Sequence, residues 1–308
     1  MNGLRQALAD YLQLRRCLGY KLERAEKLLD QFIAYLDDVG ADTLTTAHAL
    51  AWARQADSPD GNWWAQRLSV VRGFTAYLST IDPAVEVPPR DLLPSRPRRA
   101  SPYLYSRDDV AALIAAATTL RSPLRVATYQ ALIGVLAVTG MRIGEAIGLD
   151  RGDVDLDTGV LIVRAAKLGK TRELPLHPTT LAALRAYLRQ RDRHQPPAHT
   201  PAVFISPAGS RLLYCNVQWT FQRLTRQAGL EPRAGSCRPR IHDLRHSFAV
   251  HTLLDAYRDG IDVAHRLAAL STYLGHADPA GTYWYLSAAP ELMTLAAARL
   301  DQHQAVRR

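Results

Sequence analysis

The sequence predicts a mainly helical α+β protein of two domains, with one small β-hairpin in the second domain. Three observations lead to this prediction. The chain of 308 residues is longer than one compact core usually allows. Apolar residues recur at three- and four-residue spacing through most of it, which is the period of an amphipathic helix. Residues 159–176 change to the β-rich pattern of two strands around a turn.

Composition narrows the classes of protein to consider. Hydrophobic residues make up 47% and charged residues 22%, which is ordinary for a folded chain and excludes a largely disordered one. The 38 Lys and Arg residues exceed the 29 Asp and Glu residues, giving a formal charge of +9. A surplus of this size predicts a polyanionic partner, either nucleic acid or an acidic membrane surface.

Cysteine usage and hydropathy indicate the compartment. Cys17, Cys215 and Cys237 are odd in number and far apart, which supports neither a disulfide framework nor a cysteine-based zinc site. The start, MNGLRQALADYLQLRR, has no continuous apolar segment of signal-peptide type, and nowhere do about 18 apolar residues run together. We therefore expect a soluble protein of the cytoplasm, a reducing compartment, with no membrane partner.

Residues 4–81 predict a unit of four helices. Helical spacing runs through LRQALADYLQLRRCLGY and LERAEKLLDQFIAYLDDVG, and Gly40 is a stop signal for the second. Two more helices are predicted around AHALAWARQ and through NWWAQRLSVVRGFTAYLSTI. We assign a helical domain to residues 1–88.

A proline-rich segment follows, PAVEVPPRDLLPSRPRRAS, from Pro83 to Ser101. Proline locks φ and lacks an amide donor, so the segment cannot be a helix. Its arginines are Arg90, Arg96, Arg98 and Arg99. We expect an extended basic linker at residues 89–103, which is either a solvated tether or a contact for phosphates.

The second domain, residues 104–308, is predicted to open with a capped helix. Ser106 begins an S-x-x-D pattern typical of a capping box, and the helical period continues through VAALIAAATTL. A long apolar helix, VATYQALIGVLAVTG, should end at Gly140. The hairpin GVLIVRAAKLGKTRELPL comes next, helices resume from Thr179, and AVFIS predicts a short strand. PELMTLAAARLDQ predicts a tail helix.

Arg142 and Glu145 are the first candidates for a chemical role. In TGMRIGEAIGL they are three residues apart after a glycine turn, so both side chains can share one helical face. An isolated R-x-x-E of this kind is typical of a surface ion pair. Its functional interpretation therefore depends on the other motifs.

The stretch IHDLRHSFAVHTLL places His242 and Arg245 three residues apart at a predicted helix. Arginine offers a permanently charged, two-pronged contact and histidine can donate or accept a proton, so the pair suits a phosphate oxygen. Taken alone, such a cluster is more often solvated or structural. His246 and His251 form an H-x-x-x-H pattern, but neither an H-E-x-x-H glutamate nor a cysteine pair accompanies it, and we expect no metal site.

Two lysines and a tyrosine complete the candidates. Lys167 and Lys170 lie at the hairpin turn, where lysines usually face solvent. In LGHADPAGTYWYL, His276 is followed by Tyr283 and Tyr285, equal candidates by periodicity. A tyrosine hydroxyl has a pKa of about 10, so it needs neighbouring cations and a base before it can act as a nucleophile. Arginines, a lysine and histidines around one phosphodiester would supply both without a metal.

Taken in order, these residues resemble the catalytic signature of the tyrosine recombinases, the phage-integrase and Xer-type family. The resemblance covers about residues 104–290 and includes the local context of each motif. Each motif alone is weak, and their order and separations make the match specific. The matching residues are Arg142, Lys167, His242, Arg245, His276 and Tyr285.

The resemblance implies a role for each residue. Arg142 and Arg245 would bind the scissile phosphate, and Lys167 would protonate the departing 5′ hydroxyl. His242 would assist proton transfer, and His276 would hydrogen-bond the phosphate. The nine-residue separation from His276 selects Tyr285 over Tyr283 as the nucleophile that forms a 3′-phosphotyrosyl bond, which leaves Tyr283 and Trp284 to pack its helix.

The resemblance also sets supporting roles and departures. Glu145 fits an acidic supporting position beside the first arginine. The turn reads Ala166-Lys167-Leu168 where many relatives have glycine on both sides of the lysine, so Lys170 stays open as a second acid and as a DNA contact. The helical unit resembles a core-binding domain by position, size and helical content, and the two domains would close on DNA as a clamp.

The implied assembly contains double-stranded DNA sites and no cofactor. A covalent protein–DNA link conserves the phosphodiester energy, in agreement with the absence of a GxxxxGK[ST] phosphate loop from the sequence. The family implies a homotetramer on two synapsed sites, a monomer or dimer without DNA, and room for accessory or partner recombinases. The tail helix would pack either on its own protomer or on a neighbour.

Three functions fit the sequence. The first is a site-specific recombinase or integrase for DNA integration, excision or transposition. The second is a relaxing enzyme similar to type IB topoisomerases, which would share the nucleophile but act on one duplex. The third is a DNA-binding module that has lost catalysis, which the complete set of candidate residues disfavours.

Overall fold

The computed structural model divides the chain into two compact units, Met1–Arg99 and Ala100–Arg308. It describes residues 2–41, 43–56, 61–93, 101–164, 171–194, 198–234, 237–276, 281–283, 285, 291–295 and 297. Both units are helical, and the second contains a small sheet. The fold class predicted from the sequence is confirmed.

Unit 1 contains the four predicted helices, α1 to α4, around one apolar core. Their bounds are Asn2–Cys17, Glu23–Asp38, Thr46–Arg54 and Gly61–Leu78. Phe32 and Trp52 meet in this core with ring centroids 5.1 Å apart, and the Arg67 guanidinium lies 3.8 Å above the Trp52 ring. Large aromatic side chains thus supply much of the buried surface that stabilises this unit.

The first part of the proline-rich segment packs on unit 1. Val85 and Leu93 are buried in its core. Arg72 of α4 donates from Nε to the Pro88 carbonyl and from Nη2 to the Pro89 carbonyl, both at 2.8 Å. Residues 82–93 are therefore not a solvated tether, because apolar side chains and a guanidinium hold them on the helices. No helix occurs in their described structure, as proline requires.

Unit 2 combines helices with a three-stranded antiparallel sheet. The bounds of the helices are Arg107–Ala116 (α5), Pro123–Thr139 (α6), Ile143–Gly148 (α7), Pro178–Asp192 (α8), Tyr214–Gln227 (α9), Asp243–Arg258 (α10) and Val263–Leu274 (α11). The capping box at Ser106 is confirmed, since its side chain accepts from the Asp109 amide and the Asp109 carboxylate accepts from the Ser106 amide. Gly140 caps α6 in the left-handed conformation, with φ of 58°.

The strands are Val154–Asp155 (β1), Val160–Val163 (β2) and Arg172–Pro175 (β3), in the order β1-β2-β3. The predicted hairpin is β2 and β3, with Val163 opposite Arg172. The sequence analysis missed β1, which is only two residues long. The strand predicted at AVFIS is wrong: Ala202 and Ile205 make isolated bridges, to Asp150 and Arg211, within the described residues.

A separate apolar cluster joins α10, α11 and the C-terminal residues. Leu253, Leu270, Tyr285 and Leu292 are buried in it. Arg258 Nη2 and Glu291 Oε1 form an ion pair at 2.7 Å on its edge. The described part of the tail, residues 291–295, therefore packs on its own protomer in this structure.

Candidate active site

Gly140 brings α6 and α7 together at one side of the site. Its left-handed φ reverses the chain after α6, so that Arg142 becomes the N-terminal cap residue of α7. A Cβ at this position would overlap the Phe248 ring of α10. Glycine is thus required here for its conformation and for the close approach of α10.

Arg142 is joined to Glu145, three residues further along α7. Glu145 accepts from the Arg142 backbone amide at Oε2 and from Arg142 Nη1 at Oε1, both at 2.8 Å. The Arg142 side chain remains 29% exposed, and Glu145 is its only ion-pair partner among the described residues. The Arg142 side chain is thus partly exposed to solvent.

A second arginine, Arg172 at the start of β3, contacts the same carboxylate. Its Nη1 lies 3.2 Å from Glu145 Oε1 and its Nη2 lies 2.7 Å from Oε2, a two-pronged pair. Burial alone would raise the pKa of Glu145, but hydrogen bonds from Arg172 and Arg142 lower that pKa to about 2. Glu145 is therefore a carboxylate at neutral pH and not a proton carrier.

His242 and Arg245 lie at the start of α10, where His242 is the N-terminal cap residue. Arg245 is buried, and it donates from Nη1 to the Gly140 carbonyl at 2.8 Å and from Nη2 to the Leu274 carbonyl at 2.7 Å. Burial, together with the charge of Arg142, lowers the pKa of Arg245 to about 10. The guanidinium still carries its charge at neutral pH, so it is a buried cation held by carbonyl oxygens.

His276 is the next residue in this chain of contacts. Arg245 Nη2 lies 2.9 Å from His276 Nε2, and His276 Nδ1 lies 2.6 Å from Thr282 Oγ1. Burial, followed by the charge of Arg245, lowers the pKa of His276 to about 4. The imidazole is therefore neutral at pH 7, and because Arg245 can only donate, Nε2 accepts while Nδ1 carries the proton to Thr282.

Tyr285 is buried beside these groups. It is 2% exposed, its ring stacks at 6.1 Å on the His276 ring, and a side-chain hydrogen bond with Tyr285 raises the pKa of Arg245. Tyr283 is 57% exposed. The expectation that Tyr283 packs the helix of the nucleophile is therefore wrong, because successive helical side chains point in different directions. Trp284 lies outside the described residues.

Two histidines at the start of α10 lie close together, and His246 is also beside Tyr285. His246 lies with its ring centroid 4.9 Å from that of His242 and 5.4 Å from that of Tyr285. Burial lowers the pKa of His242, and it lowers the pKa of His246 to about 3. Both imidazoles are therefore neutral at pH 7. Within the described residues, no three His, Cys, Asp or Glu side chains group as a metal site would require.

The structure brings together five of the six predicted catalytic residues. The pKa of His276 responds to the charges of Arg245 and Arg142, and the pKa of His242 responds to the same two arginines. Lys167 and Lys170 lie outside the described residues, as do Arg96, Arg98 and Arg99. Arg90 is described and is exposed on unit 1.

Residues 104–291 match the phage integrase family. The chain belongs to the phage integrase family. The matched region covers unit 2 from before α5 to the C-terminal residues that follow Tyr285, so it includes the whole candidate site.

Curated relatives extend the match over both units of the recombinase. The y4rB protein of Sinorhizobium fredii, named as an integrase/recombinase, is 44% identical over 98% of each chain. The tyrosine recombinase XerC of Alcanivorax borkumensis is 32% identical over 79% of this chain and 75% of its own. The protein is thus a site-specific tyrosine recombinase, an enzyme that cleaves and rejoins DNA.

Solved structures share the fold of this recombinase. The integrase of transposon Tn1549 in complex with transposon right end DNA has a TM-score of 0.63, with 18% identity over 97% of this chain and 98% of its own. A λ integrase dimer bound to a COC′ core site has a TM-score of 0.59, with 18% identity over 91% and 94%. The described residues include no helix long and apolar enough to cross a bilayer.

Sequence reasoning missed two residues that the recombinase fold places at the site. Arg172 shares a face of β3 with Leu174, which is fully buried. Because side chains alternate between the two faces of a strand, this spacing could have predicted that Arg172 is a charged residue in need of a buried partner. Thr282 fixes the His276 tautomer from six residues away. Nothing in the local pattern pointed to it.

Proposed function

We propose that this recombinase cleaves DNA by attack of Tyr285 Oη on a phosphodiester, with Arg142 and Arg245 as the phosphate ligands. A bond forms between Tyr285 Oη and phosphorus while the bond to the 5′ oxygen breaks, which leaves a 3′-phosphotyrosyl link and a 5′ hydroxyl. The observation that supports this most is Arg245, whose guanidinium contacts His276 and hydrogen-bonds with Tyr285. Cation, imidazole and nucleophile are thus already adjacent.

The two arginines differ in exposure, and they would contribute differently to phosphate binding. Arg142, on the exposed side, would meet the phosphate oxygens directly. Arg245 is fixed by the Gly140 and Leu274 carbonyls, so its position would not change as charge develops on the phosphate. Donors that are held in place before the reaction stabilise a transition state better than donors that must reorient.

Protons would move through the neutral histidines and a lysine. His242 has a pKa below its ordinary value, so it is unprotonated at neutral pH and able to accept the Tyr285 proton. His276 would hydrogen-bond the phosphate. Lys167 would donate its proton to the departing 5′ oxygen, with Lys170 as the second candidate for that step. We expect no metal or cofactor to be needed, because the arginines supply the positive charge.

The substrate would be double-stranded DNA carrying recombination sites, bound by both units. The net charge of +9 favours a polyanion. The basic segment with Arg90, Arg96, Arg98 and Arg99, together with Lys170, would contact phosphates. We propose a homotetramer on two synapsed sites, a monomer or dimer in the absence of DNA, and a cytoplasmic location where DNA is accessible. The names of the relatives support recombination over relaxation of one duplex.

A nicked suicide substrate tests the nucleophile. The nick lets the short fragment with the free 5′ hydroxyl diffuse away after cleavage, so the strand cannot be rejoined. A covalent protein–DNA adduct therefore accumulates and can be resolved by denaturing electrophoresis. The substrate would carry the recombination site recovered from DNA flanking the gene. Tyr285→Phe should form no adduct, whereas Tyr283→Phe is the matched control and should form it as the wild type does. An adduct in Tyr285→Phe that is lost in Tyr283→Phe would contradict the assignment.

A further inference from the structure

Arg172 connects three separate elements of unit 2. It stands at the first position of β3, its guanidinium reaches Glu145 on α7, and its side chain lies against Gly275, which ends α11. Gly275 has a left-handed φ of 67°, which favours glycine, and a Cβ there would stand 3.0 Å from Arg172 Nη1. His276 follows directly. Arg172 is thus in contact with both sides of the candidate active site.

The carboxylate of Glu145 is divided between two arginines. Oε1 accepts from Arg142 Nη1 at 2.8 Å and from Arg172 Nη1 at 3.2 Å. Oε2 accepts from the Arg142 amide at 2.8 Å and from Arg172 Nη2 at 2.7 Å. Arg142 therefore binds the carboxylate through a single side-chain nitrogen. The two-pronged geometry that arginine prefers with a carboxylate is taken by Arg172 instead.

The position of the Arg172 side chain leaves one buried hydrogen-bond donor unsatisfied. Its side chain is only 12% exposed, and its Nε is buried with no hydrogen-bond partner in the described part of the chain. A buried donor without a partner costs free energy, so a requirement elsewhere must keep the guanidinium turned this way. The two contacts with Glu145 identify that requirement.

Removal of Arg172 would change what Arg142 does. Glu145 is 9% exposed, and a buried carboxylate needs compensation of its charge. With Arg172 absent, the Arg142 guanidinium is the nearest cation and would turn to bind both carboxylate oxygens. Those donors would then no longer be available to a phosphate, and Arg142 would change from a ligand into a counter-ion.

We propose that Arg172 is a positioning residue of strand cleavage, which satisfies Glu145 so that Arg142 keeps its remaining donors for the scissile phosphate. This inference rests on the proposed function, since it requires Arg142 to bind that phosphate. Arg172 acts through Arg142 and Glu145 and does not touch the DNA. Arg172 is also the first residue of β3, and it follows closely in sequence the segment that carries Lys167 and Lys170.

The test is a double-mutant cycle on single-turnover cleavage of the suicide substrate at saturating protein. Arg172→Gln should slow adduct formation by about tenfold to a hundredfold, the size of effect expected when a reacting group is misplaced. Glu145→Gln in the Arg172→Gln background removes the carboxylate that captures Arg142. The double variant should therefore cleave no more slowly than Arg172→Gln, and faster if Arg142 is released. Multiplicative losses would overturn the proposal.

DNA affinity separates positioning from direct contact. Arg172→Gln should lower the salt slope of binding by about 1, because Arg142 leaves its phosphate, and Glu145→Gln in the same background should restore the wild-type slope. A slope that stays reduced by about 1 in the double variant would mean that Arg172 itself binds a phosphate, and would overturn the proposal. Arg164→Gln is the matched control, because this arginine follows β2 in the same hairpin, pairs with Asp153 at 2.5 Å and is mostly exposed. It should cleave at the wild-type rate.

One further variant and two of those already named keep the result interpretable. Arg172→Lys keeps the charge without the two-pronged geometry, and it should fold yet cleave more slowly than the wild type; a wild-type rate would contradict the proposal. The double variant leaves no unpaired charge, so it should fold even if Arg172→Gln is unstable. Tyr285→Phe is measured in parallel. A covalent adduct formed by Tyr285→Phe would contradict the proposed function itself. If Tyr285→Phe forms no adduct and Arg172→Gln cleaves at the wild-type rate, only the role of Arg172 is contradicted.

Discussion

The two arginines of the candidate site are built in opposite ways. The Arg142 cluster, made of Arg142, Glu145 and Arg172, is an ion-pair network at the edge of the site, and Arg142 remains partly exposed. The Arg245 cluster, made of Arg245, His276 and Tyr285, contains no carboxylate; Arg245 and Tyr285 are buried and His276 is half-buried. One guanidinium is thus partly exposed, where we propose that it binds a phosphate, and the other is buried beside the proposed nucleophile.

The largest expected effect compares Arg245→Lys with Arg142→Lys. A lysine at 245 cannot donate hydrogen bonds to the Gly140 carbonyl, the Leu274 carbonyl and His276 together. The free energy of unfolding should therefore fall by about 2–4 kcal/mol. At 142 the side chain is partly exposed, and the loss should stay below about 1 kcal/mol. Urea denaturation measures both changes. Both variants should lose suicide-substrate cleavage, since each lacks a two-pronged phosphate contact.

Equal losses of stability in the two variants would break the comparison. In that case the exposed fraction of Arg142 would not reflect its energetic role. Cleavage by Arg142→Lys at the wild-type rate would contradict its assignment as a phosphate ligand, whatever its stability.

Glu145→Gln tests the Arg142 cluster through pH. The folded-state pKa of Glu145 is about 2 against an ordinary 4.5, so its ionised form stabilises the fold above pH 4.5. This stability is lost as pH falls from 4.5 towards 2, when the carboxylate is protonated. With allowance for solvent screening we expect about 1–2 kcal/mol. As pH falls from 4.5 towards 2, the free energy of unfolding of the wild type should decrease by this amount more than that of Glu145→Gln. Parallel curves of unfolding free energy against pH would contradict the prediction.

His276 gives the Arg245 cluster a different pH window. Its folded-state pKa is about 4 against an ordinary 6.5, so between these values the unfolded chain binds more protons than the folded one. Stability is therefore highest above pH 6.5 and decreases as pH falls towards 4, by about 1 kcal/mol after screening. NMR titration of the His276 ring, with His276→Gln as the reference for stability, measures this. A ring that titrates near pH 6.5 would contradict it.

Ser106→Ala should give the smallest effect and lies outside both clusters. It removes the side-chain cap of α5, which accepts from the Asp109 amide at 3.0 Å, and should cost about 1 kcal/mol of stability. Cleavage at saturating protein should be unchanged, because no group of either cluster contacts this cap. Slower cleavage by the folded variant would show that loss of stability alone lowers the rate, and the two arginine variants would then need correction for it.

Local features were predictable from the sequence because their causes are local. The capping box at Ser106, the stop at Gly140 and the hairpin of β2 and β3 depend on a few neighbouring residues each, and all three are confirmed. The strand predicted at AVFIS is wrong for the complementary reason. A β-rich run becomes a strand only if a partner strand pairs along it, and here the pairing is limited to isolated bridges.

By itself, the sequence determined the helical class, the order of the motifs and the set of polar residues that we propose bind and cleave a phosphodiester. Only the tertiary structure decided how these residues differ. It buried Arg245 among carbonyls, gave Glu145 a second arginine from β3, and exposed Tyr283 while burying Tyr285. Burial and hydrogen bonding depend on contacts between residues far apart in the chain, and a sequence motif records the residue types without those contacts.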